Sequence, residues 1–130
     1  MYQKTTGDIS ITVKPYFLRK QSQPEDDQFF WAYHVEIANS GSESVKLLRR
    51  HWSITDAKGY VHEVDGEGVV GEQPVIEPGS SYEYTSAAPL STPSGMMVGT
   101  YQMTTSQGEN FLVAIPAFSL DSPFERSQPN

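Results

Sequence analysis

The chain has 130 residues and no cysteine, and it is 12% aromatic with ten glycines and nine prolines. This length suits one domain with its own core, and the lack of cysteine excludes thiolate nucleophiles, disulfides and thiolate metal sites. A net charge of −7 disfavours nucleic acid and anionic membranes as partners, because only Lys46, Arg49 and Arg50 approach a basic patch.

Apolar residues that alternate with polar ones predict the first two strands. The first covers residues 9–18, with Ile9, Ile11 and Val13 on one face. Residues 21–28 are polar and acidic, which indicates a mobile loop. The second strand, at 29–38, is the clearest and longest, so we expect it in the centre of a sheet; one face carries Phe29, Trp31, Tyr33, Val35 and Ile37.

The later strands indicate two packed sheets. Apolar residues change phase between Leu47 and Trp52, which predicts a bulge or bend between Leu48 and His51. A tight hairpin at 56–59 leads to a strand at 60–64, and further short strands are predicted at 82–84, 97–103 and 111–115. Together, these predicted strands indicate an all-β antiparallel sandwich of about seven strands. It forms one domain over residues 1–118, followed by a loosely packed or disordered tail at 119–130.

A glycine-rich loop at Gly66–Gly71 matches the G-x-G-x-x-G pattern of dinucleotide sites; its members are Gly66, Glu67, Gly68, Val69, Val70 and Gly71. Pro74 and Pro78 follow at once, so no helix can begin there and the dinucleotide interpretation fails. Two interpretations stay open. The glycines supply positive φ for a crossover while Val69 and Val70 close the core, or the loop amides bind pyrophosphate or a nucleotide phosphate.

Charged residues flank this loop on both sides. Arg49 or Arg50 would add positive charge to a bound anion, whereas Glu67 and Glu72 would repel it. Glu63, Asp65 and Glu67 alternate along a strand and are weak candidates for binding magnesium or cobalt. Strand-edge carboxylates are more often a solvated face that prevents edge-to-edge pairing, so we expect no metal site and no cofactor.

The histidines and aromatic residues give no sign of catalysis. Nothing in the sequence places His34, His51 or His62 beside a particular hydroxyl, and there is no G-x-S-x-G elbow. We therefore expect no enzyme activity. The aromatic residues on alternating faces are expected to fill the core: Trp31, Tyr33, Trp52, Tyr84 and Tyr101. Phe30 opposes Trp31 on the second strand, so at least one of the two should face outward or lie beneath the acidic loop, where it could anchor a partner.

Several long motifs resemble the bacterial ApaG proteins over about residues 9–118. They are the segments 50–56, 63–74, 78–79, 84–86 and 92–103, which read RHWSITD, EVDGEGVVGEQP, PG, YTS and TPSGMMVGTYQM. One departure is Ala87, where the Tyr-Thr-Ser motif of the family usually continues with glycine, which leaves the turn expected there in doubt.

The resemblance implies a fibronectin type III-like or immunoglobulin-like sandwich. The family is not an established enzyme family. In bacteria it is associated with cobalt resistance and magnesium efflux, and related eukaryotic domains occur in F-box and polymerase-interacting proteins. We therefore expect a non-catalytic module that binds another protein, with a homodimer through an edge strand as a further option. No export signal or membrane span is visible, so we expect a cytoplasmic protein.

Overall fold

The computed structural model of the protein describes residues 1–124, and this part folds into two stacked antiparallel sheets. A single turn of 3-10 helix at Pro24–Asp26 interrupts the strands, and no helix in the described residues is long and apolar enough to cross a bilayer. The strands are β1 (Tyr2–Thr6), β2 (Ile9–Phe17), β3 (Phe29–Asn39), β4 (Val45–Asp56), β5 (Val61–Glu67), β6 (Val75–Ile76), β7 (Ser81–Leu90), β8 (Gly95–Thr105) and β9 (Asn110–Leu120).

The strand order puts β3 inside one sheet and β4 inside the other. The first sheet runs β1-β2-β3-β7 and the second runs β5-β4-β8-β9, with β6 paired to the start of β4. Burial alternates without a break along β3, which confirms both the predicted face and the central position. Because β7 and β5 end their sheets, each has hydrogen-bonding groups that no strand of residues 1–124 takes up.

The inner faces of the two sheets enclose one aromatic-rich core. The predicted core aromatics are all buried: Trp31, Tyr33, Trp52, Tyr84 and Tyr101. Trp52 is the centre of this packing, since its ring meets Tyr33 at 5.4 Å and Phe118 at 5.9 Å in edge-on contacts. Such T-shaped pairs add to the stabilisation that burial alone gives.

The predicted irregularity in β4 is a bulge at Leu48. Leu47 faces Met103 on β8, but the next pair in register is Arg49 with Gln102, so Leu48 has no partner across the ladder. The extra residue shifts the phase, which lets Leu47 and Trp52 both face the core although five positions separate them. The bulge therefore confirms the prediction from the phase change.

Two strands and one turn escaped the sequence patterns. β1 is an exposed edge with little apolar alternation, and β6 has only two residues. The acidic segment expected as a mobile loop forms the 3-10 turn, closed by paired Gln23 and Gln28, with Asp27 in the left-handed region at φ 54°. The structure therefore has more strands than the seven predicted.

The chain stays packed beyond the predicted boundary at residue 118. Leu120 ends β9 with a fully buried side chain, and the Trp31 indole donates a hydrogen bond to the Asp121 carbonyl at 2.8 Å. Phe124 then packs edge-on against Phe17 at 5.9 Å. Apolar residues at wide spacing anchor this segment, whereas the rest of the predicted tail, residues 125–130, lies outside the described residues.

Candidate functional site

The glycine-rich loop closes on itself as a tight hairpin. The amides of Val69 and Glu72 donate to each other's carbonyls at 2.8 and 2.9 Å, and the two residues between them, Val70 and Gly71, have φ of 42° and 83°. Paired positive φ values are typical of a type I′ turn. No helix begins at Val69 or Val70. The amides of Val69 and Glu72 are therefore engaged within the loop itself.

The bulge in β4 holds the base of this loop. The Leu48 carbonyl accepts a bond from the Gly68 amide at 2.8 Å and another from the Gln73 side chain at 2.9 Å. Gly68 has φ of 63°, and a Cβ there would lie 2.1 Å from the Glu72 carbonyl oxygen. Glycine is required at this position for both reasons.

Arg50 is bound to the loop backbone. Its Nη1 donates to the carbonyls of Glu67 at 3.1 Å and Gly68 at 2.9 Å. Its guanidinium lies over Gly66, where a Cβ would come within 2.8 Å of three guanidinium atoms. Arg50 does lie beside the Gly66–Gly71 loop, as the sequence suggested, but its guanidinium donates its hydrogen bonds to carbonyl oxygens of the loop.

Val69 and Val70 have different environments. Val69 is fully buried and belongs to the core, as predicted, whereas Val70 is 54% exposed at the tip of the turn. The expectation that both valines close the core is therefore corrected, because the reversal at Val70 and Gly71 turns the second side chain toward solvent.

The carboxylates of β5 surround His51 on the outer face of the second sheet. His51 Nδ1 lies 2.7 Å from Asp65 and its Nε2 lies 2.8 Å from Glu63. The hydrogen bond with Asp65 raises the pKa of the His51 imidazole. Each of the two carboxylates therefore contacts a different nitrogen of the His51 ring. In residues 1–124, no group of three or more His, Asp or Glu side chains is placed to hold a metal ion.

Arg49 lies on the outer face of the second sheet, opposite the start of the glycine loop. It lines a small cleft of about 90 Å³ on the outer face of the second sheet, together with Asp65 and Thr100. Glu67 pairs in register with Arg49 at the end of β5, whose residues are almost all exposed. Glu63, Asp65 and Glu67 thus lie on an exposed edge strand.

His34 does meet a hydroxyl, which the sequence did not foresee. Its Nδ1 lies 2.8 Å from Thr85 Oγ1, and its Nε2 lies 2.7 Å from Glu83. The register of β3 and β7 creates this chain, since His34 pairs directly with Thr85. All three groups lie on the exposed face of the first sheet.

Buried tyrosine hydroxyls join the two sheets beside Arg50. Tyr84 and Tyr101 share a hydrogen bond between their hydroxyl groups. Burial raises the pKa of both well above the usual range, and burial also raises the pKa of Tyr33. The hydroxyls therefore remain protonated and act as structural partners.

β7 ends the first sheet, and the strand patterns in the sequence did not identify it as an edge strand. The Asn39 amide of β3 donates to the Ser80 carbonyl at 3.0 Å. In an antiparallel ladder, the residues whose backbone groups bond to one particular neighbouring strand occur at every second position. Even-numbered residues of β7 therefore bond to β3. The N–H and C=O groups of Glu83, Thr85 and Ala87 point the other way, where no strand of residues 1–124 meets them.

Pro89 fits this assignment of the edge. It occupies an odd position of β7, where an N–H would point away from β3, so its missing donor breaks no ladder bond. A proline inside an apolar strand pattern is a signal for an edge strand, and it was available in the sequence. Ala87, the departure from the family motif, lies within β7 and not in a turn.

A groove lies where β7 ends. Its volume is about 470 Å³, and it is lined by the starts of β3 and β5 and the ends of β4 and β7. Phe30, Pro89 and Leu90 supply apolar surface, while Asp27, Asp56 and His62 supply polar groups. Phe30 thus lies beside the acidic segment, as predicted.

Comparison with known proteins gives full-length relatives. The family model described as ApaG domain matches residues 19–105. The Protein ApaG of Paramagnetospirillum magneticum is 62% identical, and that of Rhodospirillum centenum is 61% identical, each over all of both chains. The crystal structure of the ApaA protein of Bordetella pertussis superposes with a TM-score of 0.87 at 44% identity, covering 91% of this chain and 96% of that one.

Proposed function

The chain belongs to the ApaG domain family, and from this premise we propose that it is a non-catalytic module that binds an extended segment of another protein. The segment adds to the first sheet along the free edge of β7. Main-chain hydrogen bonds give such β-strand addition its affinity, and alternate side chains give it specificity.

One observation carries the proposal: the outward amides and carbonyls of Glu83, Thr85 and Ala87 have no partner strand in residues 1–124. A long edge strand is a template for pairing unless charges, prolines or bulges protect it. β7 spans ten residues in a regular ladder with β3, and its outward positions carry one charged residue, Glu83, and one proline, Pro89, which lies next to the end of the strand.

The strands that end the two sheets on the other side, β1 and β9, lie against each other, and the Ala114 amide of β9 donates to Thr6 Oγ1 of β1 at 3.2 Å. The remaining edge, β5, is a poorer template than β7. The Gly68 amide bonds to Leu48, so the odd-numbered residues of β5 point their backbone groups away from β4. Those positions include Glu63, Asp65 and Glu67, and three carboxylates in succession oppose the addition of another strand. β7 is therefore the favoured edge.

A binding role agrees with the exposed positions of the histidines. The Thr85–His34–Glu83 chain has the residue types of a nucleophile, a base and an orienting group, but it lies on an open, solvent-exposed sheet face. Hydrolytic sites need a cleft that holds substrate and stabilises charge. We propose no catalytic role for these residues.

Anion binding at Gly66–Gly71 is the less favoured alternative. The amides of Gly68, Val69 and Glu72 are donated to protein carbonyls, and Arg50 is held by two more. An anion would have to replace these bonds. A role in cobalt or magnesium homeostasis would on this proposal be indirect and act through the partner protein. We place the protein in the cytoplasm.

A peptide-display selection with a matched pair of variants tests the proposal. A pool of random peptides of about twelve residues is selected on the protein, and individual peptides are then measured by calorimetry. Ala87→Pro removes one outward N–H and spares the bonds to β3, and Pro89 demonstrates that this edge accepts proline. Ala87→Thr keeps the N–H and serves as the control.

The proposal predicts that Ala87→Pro weakens every selected peptide at least tenfold while Ala87→Thr does not, with both variants folded by circular dichroism. Equal affinity for the two variants would overturn it. So would sedimentation showing that β7 is already paired in a stable homodimer, because the edge would then be taken by a second copy.

A further inference from the structure

We propose that the segment bound along β7 is basic and carries a bulky apolar side chain that fills the groove at the end of β7. This inference rests on the proposed function and names the chemistry of the partner. The groove is the one of about 470 Å³ that contains Phe30, Pro89 and Leu90.

The groove lies at the end of the free edge of β7. Pro89 pairs in register with Phe30, so the two residues form one cross-strand row that ends at the free edge of β7. A residue of an added strand opposite Pro89 would extend this row, because side chains directly opposite on one face are neighbours. Pro89 offers a carbonyl but no N–H, so the ladder loses one donor there, and β7 itself ends one residue later at Leu90, beside the groove.

The shape of the groove favours a large apolar side chain. Phe30 is half-buried and Leu90 is buried, so the apolar surface is held in place by the strands that carry it. The volume of about 470 Å³ is many times that of a water molecule, about 30 Å³ in the liquid. Aromatic anchors that enter such apolar recesses supply much of the affinity of peptide complexes.

The charge around the groove favours a basic segment. Asp27 and Asp56 line it, and Glu25 and Asp26 directly precede Asp27. Asp56 is largely buried, and its Oδ1 accepts bonds from the amides of Lys58 and Tyr60, which fixes its carboxylate. Glu83 adds a further negative charge along the edge, and the chain as a whole carries −7. Lysine or arginine in the segment would be attracted along its whole path.

Three synthetic peptides test the inference. The first has about ten residues, in which lysine alternates with threonine or valine and one phenylalanine lies near an end. The second replaces that phenylalanine by alanine, and the third replaces every lysine by glutamate. Binding of each is measured by calorimetry at low and at physiological salt.

Two pairs of variants accompany the peptides. Phe30→Ala removes apolar surface from the groove, and Leu112→Ala removes an exposed apolar side chain of the second sheet. Asp27→Asn removes one groove charge with a residue that tolerates the left-handed region, and Glu109→Gln removes one charge from the β8–β9 turn at the other end of the sandwich.

The inference predicts that Phe30→Ala weakens the first peptide about tenfold and the second peptide little. It predicts that Asp27→Asn weakens the first peptide about two- to fivefold at low salt, whereas both control variants bind normally. If the three peptides bind equally well and Ala87→Pro still abolishes binding, the groove inference fails and the edge proposal stands. If Ala87→Pro leaves binding intact, the edge proposal itself fails.

Discussion

Arg50 lies directly over Gly66, so that a Cβ on the glycine would come within 2.7 Å of the arginine Nη1. The same guanidinium donates to the carbonyls of Glu67 and Gly68. The sequence motif that resembles a phosphate cradle is thus a backbone turn held by an arginine from the neighbouring strand. Its glycines are explained by steric contact and by positive φ.

Gly68 should be the least replaceable glycine of the loop. Gly68→Ala puts a methyl group into the Glu72 carbonyl at 2.1 Å and strains a residue at φ 63°, and we expect a loss of more than 3 kcal/mol. Gly71→Ala meets no atom within 4 Å and should cost only about 1–2 kcal/mol for its positive φ. Urea unfolding measures both; equal losses would contradict the steric explanation.

Replacing Val70 by a residue that favours positive φ should raise the stability of the fold. Val70 is a β-branched residue at φ 42° with an exposed side chain, and asparagine followed by glycine is the favoured pair in a type I′ turn. We expect Val70→Asn to stabilise the fold by about 1 kcal/mol in urea unfolding. Val75→Asn also replaces an exposed valine, but in β6, and should bring no gain. A gain from Val75→Asn alone would refute the turn assignment.

The extent to which the fold was predictable follows from burial. β3 buries every second residue, so its alternation marked both its face and its central place, and the phase change in β4 marked the bulge at Leu48. β1 and β6 bury too few side chains to leave a pattern. Period-two patterns therefore find the strands that build the core and miss those that only complete an edge.

The candidate site was less predictable because it depends on register. The sequence brought Arg50 near the glycine loop but could not tell that its bonds go to carbonyls. It also could not place His34 beside Thr85 or His51 between Glu63 and Asp65, since one residue of slippage between strands would separate each pair. Pro89 alone carried a readable signal for the free edge.

The hydroxyl pair of Tyr84 and Tyr101 should make stability sensitive to alkali. Burial raises both pKa values above the ordinary 10.0, so the stabilisation is complete below pH 10 and is lost as the pH rises through the folded-state values. Tyr84→Phe should cost about 1–3 kcal/mol at neutral pH, because it leaves the Tyr101 hydroxyl buried without its partner.

The double variant Tyr84→Phe with Tyr101→Phe is the control for that experiment. Replacing both partners by apolar groups of the same shape is nearly neutral, so most of the stability should return. Unfolding curves at pH 8 and above pH 10 should then show a smaller alkaline loss than in the original protein. If the double variant loses as much stability above pH 10 as the original protein does, other titrating groups cause the loss.

His51 should titrate above its ordinary pKa of 6.5, chiefly because of its hydrogen bond with Asp65. Asp65→Asn should lower that pKa more than Glu63→Gln does, which proton NMR of the imidazole measures directly. The raised value means that any stabilisation is complete below pH 6.5 and fades as the pH rises through the folded-state pKa. The effect on unfolding should be small, since the pair is exposed to solvent. A larger shift from Glu63→Gln would reverse the ranking of the two carboxylates.

Amide hydrogen exchange along β7 and β5, recorded with and without a selected peptide, tests most directly whether β7 receives a bound segment. The amides of Glu83, Thr85 and Ala87 should become protected, while those of Glu63 and Asp65 on the acidic β5 edge should exchange at an unchanged rate. Protection confined to β5 or to the Gly66–Gly71 loop, with β7 unchanged, would contradict strand addition at β7.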